Sequence, residues 1–280
     1  MYYETLFWTD QAIYTAQYTG TNNVYSFNPI SVKGISIISP RAAISNGSQA
    51  FWMDSNAFFT YNGSVVEIDC PLKQFVFADI NRKQAFKIHS AHNHSFSEVK
   101  WFYPSIAGNG ECDSYVKFNY KDGVWDNGKM SRTAWSDSTT PSGQAAAPLA
   151  TDPAGVIWQH ESGVDAGTQP MPWSLTSGDI DIEDGAQYVL LNRLINDFEW
   201  LGPAKNLQQI ALDIRTKQSS NQTPRVAKTV QLVPGDNNKG YVNARVRGRR
   251  VSFRIYNPGV LGTFWIGGTL QADFQADGEV

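Results

Sequence analysis

Apolar and polar residues alternate along most of this chain, and helical periodicity is nearly absent. The alternation is clearest in "AIYTAQY" (12–18), "SYVKFNY" (114–120), "IALDIRT" (210–216) and "TLQADFQ" (269–275). A period of two places successive side chains on opposite faces of a strand, so one face is buried while the other meets water. The best helical candidate, "AQYVLLNRLINDF" (186–198), also fits a buried strand. We therefore predict an all-β protein.

Turn dipeptides separate the predicted strands. They are Asn62-Gly63, Asp122-Gly123, Asn127-Gly128, Pro234-Gly235 and Pro258-Gly259. Glycine and asparagine reach the left-handed backbone conformations that tight turns need, and proline fixes the backbone of a first turn residue. Aromatic residues make up 13% of the chain, which favours strands over helices. Many short strands joined by tight turns are expected.

Tryptophan recurs within a shared pattern, in which an aromatic strand is followed by a polar gap and a second aromatic strand. Trp8, Trp52, Trp101 and Trp158 mark the copies, at intervals of 44, 49 and 57 residues by subtraction. A four-stranded propeller blade occupies about 40 to 50 residues. We predict propeller-like blades; an irregular sandwich with scattered core tryptophans is the alternative.

The pattern changes near residue 176, which predicts two regions. Residues 1–175 form the blade region, with a disordered-looking Ser/Pro/Ala/Gly insertion at 136–155. Residues 176–280 form a C-terminal antiparallel β unit packed on it, in which the polar run 216–228 joins two strands. Three or four blades do not close a ring efficiently, so we expect an incomplete propeller, or one completed by another chain or by the C-terminal strands.

Composition excludes several classes of protein. The net charge of −3 argues against a dedicated nucleic-acid binder. Cys70 and Cys112 allow one bridge, but a reduced intracellular setting is the simpler interpretation. The start "MYYETLFWTD" lacks the pattern of a signal peptide, and no apolar run approaches the ~18 residues of a membrane helix. We expect synthesis in the cytoplasm and no membrane partner.

One segment, "GVWDNGKM" (123–130), nearly matches a phosphate-binding loop. Gly123, Gly128 and Lys129 have the required spacing, but Met130 stands where a hydroxyl would hold magnesium. The motif also needs a following helix, whose N-terminal N–H groups would face the phosphate. We predict a hairpin turn and no cofactor.

Three histidines, His89, His92 and His94, are close enough in sequence to suggest a metal site. Their spacings of three and two suit neither a helical pair nor a zinc finger, and no fourth ligand is evident nearby. We predict a solvated polar hairpin tip without a metal.

The segment "DIDIEDG" (179–185) resembles a calcium loop because Asp179, Asp181 and Glu183 alternate. The sixth position, which needs glycine, is Asp184, and the twelfth is Leu190 in place of a bidentate Glu. We predict a strand with an acidic outer face.

Signatures of catalysis are missing from the sequence. There is no Gly-x-Ser-x-Gly nucleophile turn, and "YKDGVW" does not match the aspartate box of sialidase propellers. Two carboxylates can hydrolyse glycosides without any motif, but no particular pair stands out. We assign no catalytic residue.

Positive charge is concentrated in one stretch, "YVNARVRGRRVSFRI" (241–255), although the chain is acidic. Its arginines are Arg245, Arg247, Arg249, Arg250 and Arg254. Arginine suits planar, two-pronged pairing with carboxylates or phosphates, whereas an ordinary solvated strand mixes Thr, Lys, Glu and Ser. A plain surface face is the alternative.

The side-chain register of this stretch changes at Gly248. Before Gly248, the arginines that lie opposite the apolar residues have odd numbers, Arg245 and Arg247. After it, they have even numbers, Arg250 and Arg254. One extra residue moves every following side chain to the other face. We predict a bulge or tight turn at Gly248 and one arginine-rich face on a single pair of strands, complementary to the acidic "DIDIEDG" face.

Several segments together resemble tail-hub, or packaged-DNA stabilisation, proteins of short-tailed bacteriophages. They are 101–135, "WSLTSGDIDIEDG" (173–185), Arg-x-Arg-Gly-Arg at 245–249, and "TFWIGGTLQADFQADGE" (263–279). The resemblance covers roughly residues 45–280, and its motifs are turn and packing motifs. The propellers of that family are longer than this chain.

The resemblance implies a virion structural protein without enzymatic activity. Family members form a ring, usually a hexamer, below the portal and adaptor rings, and act as a nozzle that retains and conducts double-stranded DNA. The implied partners are copies of the chain, portal, adaptor and other tail proteins, and DNA bound without sequence specificity. A strongly basic lumen would slow DNA, so we expect the arginines to join subunits. The expected interface residues are Arg245, Arg247, Arg249, Arg250, Arg254, Asp179, Asp181 and Glu183.

Two other functions fit the same sequence. Exposed aromatic residues on blades stack well on sugars, which would suit a carbohydrate-binding or receptor-recognition tail component. A propeller glycoside hydrolase is the remaining alternative, and it would need a pair of carboxylates in a cleft.

Overall fold

The chain is all-β, as predicted. The computed structural model describes residues 4–9, 11–30, 34–137, 147–201, 208–234, 241–263 and 265–279. Within these ranges it contains twenty-one strands, one α-helix and three short 3-10 turns. The segment that came closest to a helical pattern, 186–198, lies inside a long strand.

The backbone divides into two compact units, 1–162 and 163–280. The sequence pattern placed the division later, after residue 175. A strand at Ser174–Thr176 pairs with strands of the second unit, so residues just before the expected division belong with that unit.

The first unit contains four antiparallel sheets in which each strand pairs with the next along the chain, as in propeller blades. The first sheet has β1 (Glu4–Trp8), β2 (Ile13–Tyr18) and β3 (Tyr25–Pro29). The second has β4 (Ala43–Ser45), β5 (Ala50–Met53), β6 (Phe58–Tyr61) and β7 (Val65–Ile68). The third has β8 (His89–Asn93), β9 (Glu98–Tyr103), β10 (Ser114–Asn119) and β11 (Val124–Lys129). The fourth has β12 (Ala134–Ser136), β13 (Leu149–Thr151) and β14 (Ile157–Gln159).

One helix, α1 (Lys73–Asp79), and a 3-10 turn (Arg82–Lys87) connect the second and third sheets. Val76 of α1 is fully buried in the core that these two sheets share.

The tryptophan pattern holds for the two four-stranded sheets of the first unit and not for its two three-stranded sheets. Trp52 on β5 and Trp101 on β9 each occupy the second strand of a sheet, and both are fully buried. Trp8 lies on the first strand of its sheet, and Trp158 lies on the third strand of its sheet with 37% of its surface exposed. The Trp158 indole N–H donates to Asp152 at 2.8 Å, which holds the ring at the surface.

Two predictions about turns and loops were wrong. Asn127-Gly128 is not a turn, because it lies within β11, where the ring of Tyr115 covers Gly128 so closely that a Cβ would lie 2.7 Å from it. The insertion at 136–155 is not free of strands, since it contains β13, the central strand of the fourth sheet. Residues 138–146 of the insertion and Gly235 of the Pro234-Gly235 turn lie outside the described residues.

The second unit contains two antiparallel sheets. One has the order β15 (Ser174–Thr176), β20 (Arg250–Tyr256), β17 (Ile210–Lys217), β18 (Arg225–Leu232). The other has the order β19 (Tyr241–Gly248), β16 (Gln187–Trp200), β21 (Trp265–Glu279). Leu191 and Leu194 of β16 pack in one hydrophobic core with Leu212 and Ile214 of β17 and with Val251 of β20. The two sheets of this unit therefore form a sandwich.

Among the described residues, no helix is long and apolar enough to cross a membrane.

We predict that Trp101→Ala lowers the free energy of unfolding by about 3 to 5 kcal/mol, because it empties the centre of a core and removes a hydrogen bond to the Ala42 carbonyl. Trp158→Ala is the matched control at the surface, and we expect a loss of less than about 1 kcal/mol. Urea unfolding followed by far-ultraviolet circular dichroism measures both. Equal losses for the two variants would contradict the assignment of Trp101 to the core.

Candidate functional site

The arginine stretch lies on two strands that belong to different sheets. β19 pairs with β16, whereas β20 pairs with β15 and β17. The apolar residues of both strands meet in the sandwich core, so their arginines are directed to the two opposite outer faces of the sandwich. The prediction of one arginine-rich face on a single pair of strands was therefore wrong. The chain crosses between sheets at Gly248, and that crossing reverses the parity.

The bulge lies at Arg245 and not at Gly248. The pairing of β19 with β16 shifts register between Leu191 and Arg193, and Arg245 has a φ of 52°, in the left-handed region. Its side chain is exposed and takes part in no ion pair or hydrogen bond with the residues that the structure describes. Gly248 is instead required by a close approach, since a Cβ there would lie 2.8 Å from the side chain of Thr216.

Three of the other four arginines have polar partners within the second unit, namely Arg247, Arg249 and Arg250. Arg247 donates to the Asp277 carboxylate at 2.6 Å and lies over the ring of Tyr188 at 3.9 Å. Arg249 donates from Nε to the Gly185 carbonyl at 2.5 Å.

Arg250 and Arg254 also contact their own chain. Arg250 pairs with Asp181 at 3.2 Å, and Arg254 lies over the ring of Tyr256 at 4.6 Å. Residues 163–280 contain twelve Lys and Arg against twelve Asp and Glu, so the net charge of this unit is zero. The arginines therefore do not create a basic field.

The acidic segment 179–185 is not a strand, contrary to the prediction. Only an isolated bridge joins Ile180 to Val251, and a 3-10 turn follows at Glu183–Gly185. Asp179 pairs with Lys217, and Glu183 accepts a hydrogen bond from Gln187 at 2.8 Å. Ile180, expected to point inward, is 36% exposed. The acidic and basic segments do meet, through the Asp181–Arg250 pair within the chain.

The edges of the second sandwich sheet differ in how they are covered. On β19, the carbonyls of Asn243 and Ala244 accept hydrogen bonds from the ammonium of Lys228 on β18, at 2.7 and 3.1 Å. On β21, a strand of fifteen residues, no described strand pairs with the side opposite β16. An unpaired strand edge presents a row of N–H and C=O groups to another chain.

The first sheet presents a second distinctive surface, which we name the aromatic face. Registered pairing of β1, β2 and β3 places on one side the residues Thr5, Phe7, Tyr14, Ala16, Tyr18, Tyr25, Phe27 and Pro29. Four of its rings are exposed by 46% to 69%, namely Phe7, Tyr18, Tyr25 and Phe27. The opposite side of the sheet packs Leu6, Trp8 and Ile13 into a core, so the aromatic face is directed outward.

Rings on the aromatic face contact one another. Phe7 and Phe27 have centroids 6.0 Å apart, and Tyr18 and Tyr25 have centroids 5.9 Å apart. None of these residues belongs to a site that was predicted from the sequence. The signal was present, because Tyr25, Phe27 and Pro29 alternate with small polar residues, but alternation does not tell which side of a strand is buried.

The predicted solvated tip at the histidines was wrong. His89 and His92 lie on β8 and are 5% and 9% exposed; only His94, in the following 3-10 turn, is exposed. His89 stacks on Phe102, and burial lowers its pKa to about 4. His92 contacts the Tyr120 hydroxyl at 3.2 Å and the Asp137 carboxylate at 3.2 Å. Among the residues that the structure describes, no group of three His, Cys, Asp or Glu side chains is arranged to hold a metal ion.

A buried lysine is the centre of the densest cluster of charges, on the third sheet. Lys100 is 6% exposed, lies 3.6 Å from Glu98 and 3.9 Å from Glu161, and its ammonium is 4.9 Å from the ring centre of Trp135. Burial lowers the pKa of Lys100, and the adjacent Glu98 opposes that shift.

Lys117 shares the Glu98 carboxylate and also pairs with Asp126, at 2.7 and 2.8 Å. Burial disfavours its charge, but the hydrogen bonds to Asp126 and Glu98 outweigh burial and raise its pKa. The carboxylates of this cluster therefore serve to neutralise lysines.

The segment resembling a phosphate loop is a hairpin, as predicted. Gly123 has a φ of 70° in the turn that joins β10 to β11, and no helix follows. Lys129 donates to the Ser114 hydroxyl at 2.7 Å.

Both cysteines, Cys70 and Cys112, are buried and free. Burial raises the pKa values of their thiols to about 11 and about 12.

Comparisons with known proteins identify no family. No protein-family model matches the chain, and no curated protein matches it. Among solved structures, it aligns with a crystal structure of exo-β-1,3-galactanase from Phanerochaete chrysosporium with β-1,3-galactotriose. The sequence identity is 9%, the alignment covers 95% of this chain and 68% of that chain, and the TM-score is 0.15.

We predict that Gly248→Ala destabilises the second unit by about 1 to 3 kcal/mol, because the new methyl group would overlap the side chain of Thr216 at the crossing between sheets. Gly178→Ala is the matched control, since nothing lies within 4 Å of its added Cβ. Thermal unfolding of both variants provides the comparison. A Gly248 variant as stable as the control would show that the close approach does not exist.

The buried histidines make stability depend on pH. Above about pH 6.5, His89 is neutral in the folded and the unfolded chain. Between pH 6.5 and about 4 the unfolded chain takes up a proton that the folded chain does not, so the free energy of unfolding falls by up to about 1.4 kcal/mol per pH unit. Urea unfolding at pH 7 and pH 5 should show the loss, and His89→Gln should reduce it. Stability that is equal at the two pH values would refute the burial of a neutral His89.

Proposed function

We propose that the chain is a non-enzymatic structural subunit of a bacteriophage neck or tail, which joins copies of itself into a ring around packaged double-stranded DNA. The proposal rests on the long edge of β21 that pairs with no described strand, together with the resemblance at 101–135, 173–185, 245–249 and 263–279.

The edge of β21 is unusually long for an uncovered strand. Fifteen residues span about 50 Å, whereas globular proteins usually keep edge strands short or cover them. A strand of a second copy can pair with this edge through backbone hydrogen bonds, which add to the contacts of side chains.

β18 of a neighbouring copy is the complementary strand. Among the described strands it lies at the edge of its sheet, and it has eight residues; of its two basic residues, Lys228 is bound to carbonyls of β19 within the chain. Within the chain, Asp273 of β21 pairs with Arg193, and Asp277 pairs with Arg247. The backbone groups of the two strands, rather than free charge, would therefore join them. Because the two edges are different strands, their pairing gives a head-to-tail contact, and such contacts close into rings when the rotation between copies allows it.

This arrangement assigns Arg247, Arg249 and Arg250 to the fold of the second unit, because their polar groups are bound within the chain. Arg245 is the arginine of the stretch that is exposed and has no polar partner among the described residues. It is therefore the one most available to a neighbouring subunit.

Charge favours a conduit over a DNA-binding protein. The chain has a net charge of −3, and its arginine-rich unit is neutral. Each contact between a phosphate and a cation adds binding free energy, so a path without a basic field lets DNA pass. The pairing of Glu98 and Glu161 with Lys100 favours a structural over a catalytic role for the largest charge cluster.

Val226→Lys tests the assembly. Val226 is 45% exposed on β18, and a lysine on an edge strand opposes the addition of another strand. We expect the unchanged protein to form rings with a central opening, and Val226→Lys to remain monomeric with unchanged circular dichroism. Light scattering after size exclusion and negative-stain images provide the readout.

Val66→Lys is the matched control, since Val66 is 50% exposed on β7, an edge strand of the first unit. It should form rings normally. An unchanged protein that stays monomeric at high concentration, or a Val226→Lys variant that still forms rings, would contradict the proposal.

A further inference from the structure

We propose that the aromatic face of the first sheet binds a neutral saccharide chain. The inference is independent of ring formation, because the aromatic face lies in the first unit, whereas the proposed ring contact uses β18 and β21 of the second unit.

The shape of the aromatic face suits the apolar side of sugar rings. Three paired strands, about 4.8 Å apart, hold the rings on one side of the sheet, where the neighbouring rings Phe7–Phe27 and Tyr18–Tyr25 are tilted to each other by 57° and 69°. At its centre, Ala16 is small and only 6% exposed; it pairs with Thr5 on one side and with Phe27 on the other, and the Phe27 ring contacts that of Phe7. Sugar rings carry a plane of C–H groups that packs on aromatic rings, and the Tyr18 and Tyr25 hydroxyls can meet sugar hydroxyls at one end.

The charge of the first sheet disfavours partners that carry phosphate. Residues 1–30 contain no Lys or Arg, whereas sheets that bind single-stranded nucleic acid combine stacking rings with a positively charged groove. The turn from β2 to β3 is instead rich in uncharged polar side chains, among them Thr19, Thr21, Asn22 and Asn23. Hydroxyl and amide groups are the donors and acceptors that a neutral sugar needs.

The area of the aromatic face suits a small ligand better than a second copy of the chain. Its four exposed rings present roughly 500 Å², which falls below the ~800 Å² per partner of a stable protein interface. It lies within the range of the largest apolar patch on an ordinary monomer, and such a patch is often functional.

Isothermal titration of the full chain tests the inference, with cellohexaose, chitohexaose, maltohexaose and mannohexaose as probes. We expect at least one probe to bind, and Tyr25→Ala combined with Phe27→Ala to weaken its binding at least tenfold. Phe27→Tyr keeps a ring at the same place and should bind within about twofold of the unchanged protein. Phe86→Ala removes a ring that is 62% exposed outside the aromatic face, and it should leave binding unchanged.

Melting temperatures of all variants establish that the first sheet remains folded, and light scattering reports the oligomeric state in parallel. No binding of any probe at millimolar concentration would overturn the inference, as would equal binding by the unchanged protein and the double alanine variant. An oligomer that only the double alanine variant disrupts would assign the aromatic face to a subunit contact, and tighter binding of a single-stranded oligonucleotide would assign it to nucleic acid. Loss of sugar binding by the double alanine variant, without a change in its oligomeric state, supports the inference. This holds whether or not the unchanged protein forms rings.

Discussion

The unpaired backbone edge of β21 is the constraint on which the account of assembly depends. A strand of fifteen residues carries many backbone hydrogen-bonding groups along one side, and no described strand pairs with that side of β21. At the opposite edge of the same sheet, Lys228 donates hydrogen bonds to two carbonyls of β19. The two edges of the sheet therefore differ: the β19 edge is partly covered by Lys228, and the β21 edge is suited to the addition of a strand.

Charge in this protein mainly stabilises the fold. Apart from Arg245, the arginines of 245–254 and the acids of 179–183 pair with one another or bind nearby polar groups and rings within the second unit. In the first unit, a buried lysine draws two glutamates into a closed cluster. Removal of one partner from a buried pair of this kind lowers stability, because the remaining charge is left unpaired in a region of low polarity. Recognition by this protein therefore depends more on backbone edges and aromatic surface than on free charge.

Local patterns in the sequence predicted the strands and most of the described turns, because alternation and turn chemistry are properties of neighbouring residues. They did not predict which strands pair. Nothing in 241–255 distinguishes a hairpin from two strands in separate sheets, since both arrangements reverse the parity at Gly248. Asn127-Gly128 has the composition of a turn, yet it is held in β11 by pairing with β10, a tertiary effect that overrides local preference.

The candidate surfaces were harder to predict than the fold. The sequence identified the arginines and acids, but their partners depend on contacts between residues that are distant in the chain, such as Arg247 with Asp277. Exposure of Phe7, Tyr25 and Phe27 depends on which side of the first sheet meets the core, and alternation gives two equivalent choices. The unpaired edge of β21 follows from strand order, which no local pattern contains.

Hydrogen–deuterium exchange of the assembled and the dilute protein, read by mass spectrometry, tests the role of this edge most directly. Backbone amides become protected when a strand pairs, and side-chain contacts alone have a smaller effect. The account predicts slower exchange on assembly in peptides that cover 265–279 and 225–232, with little change in 65–68. Assembly without any added protection in 265–279 would contradict it.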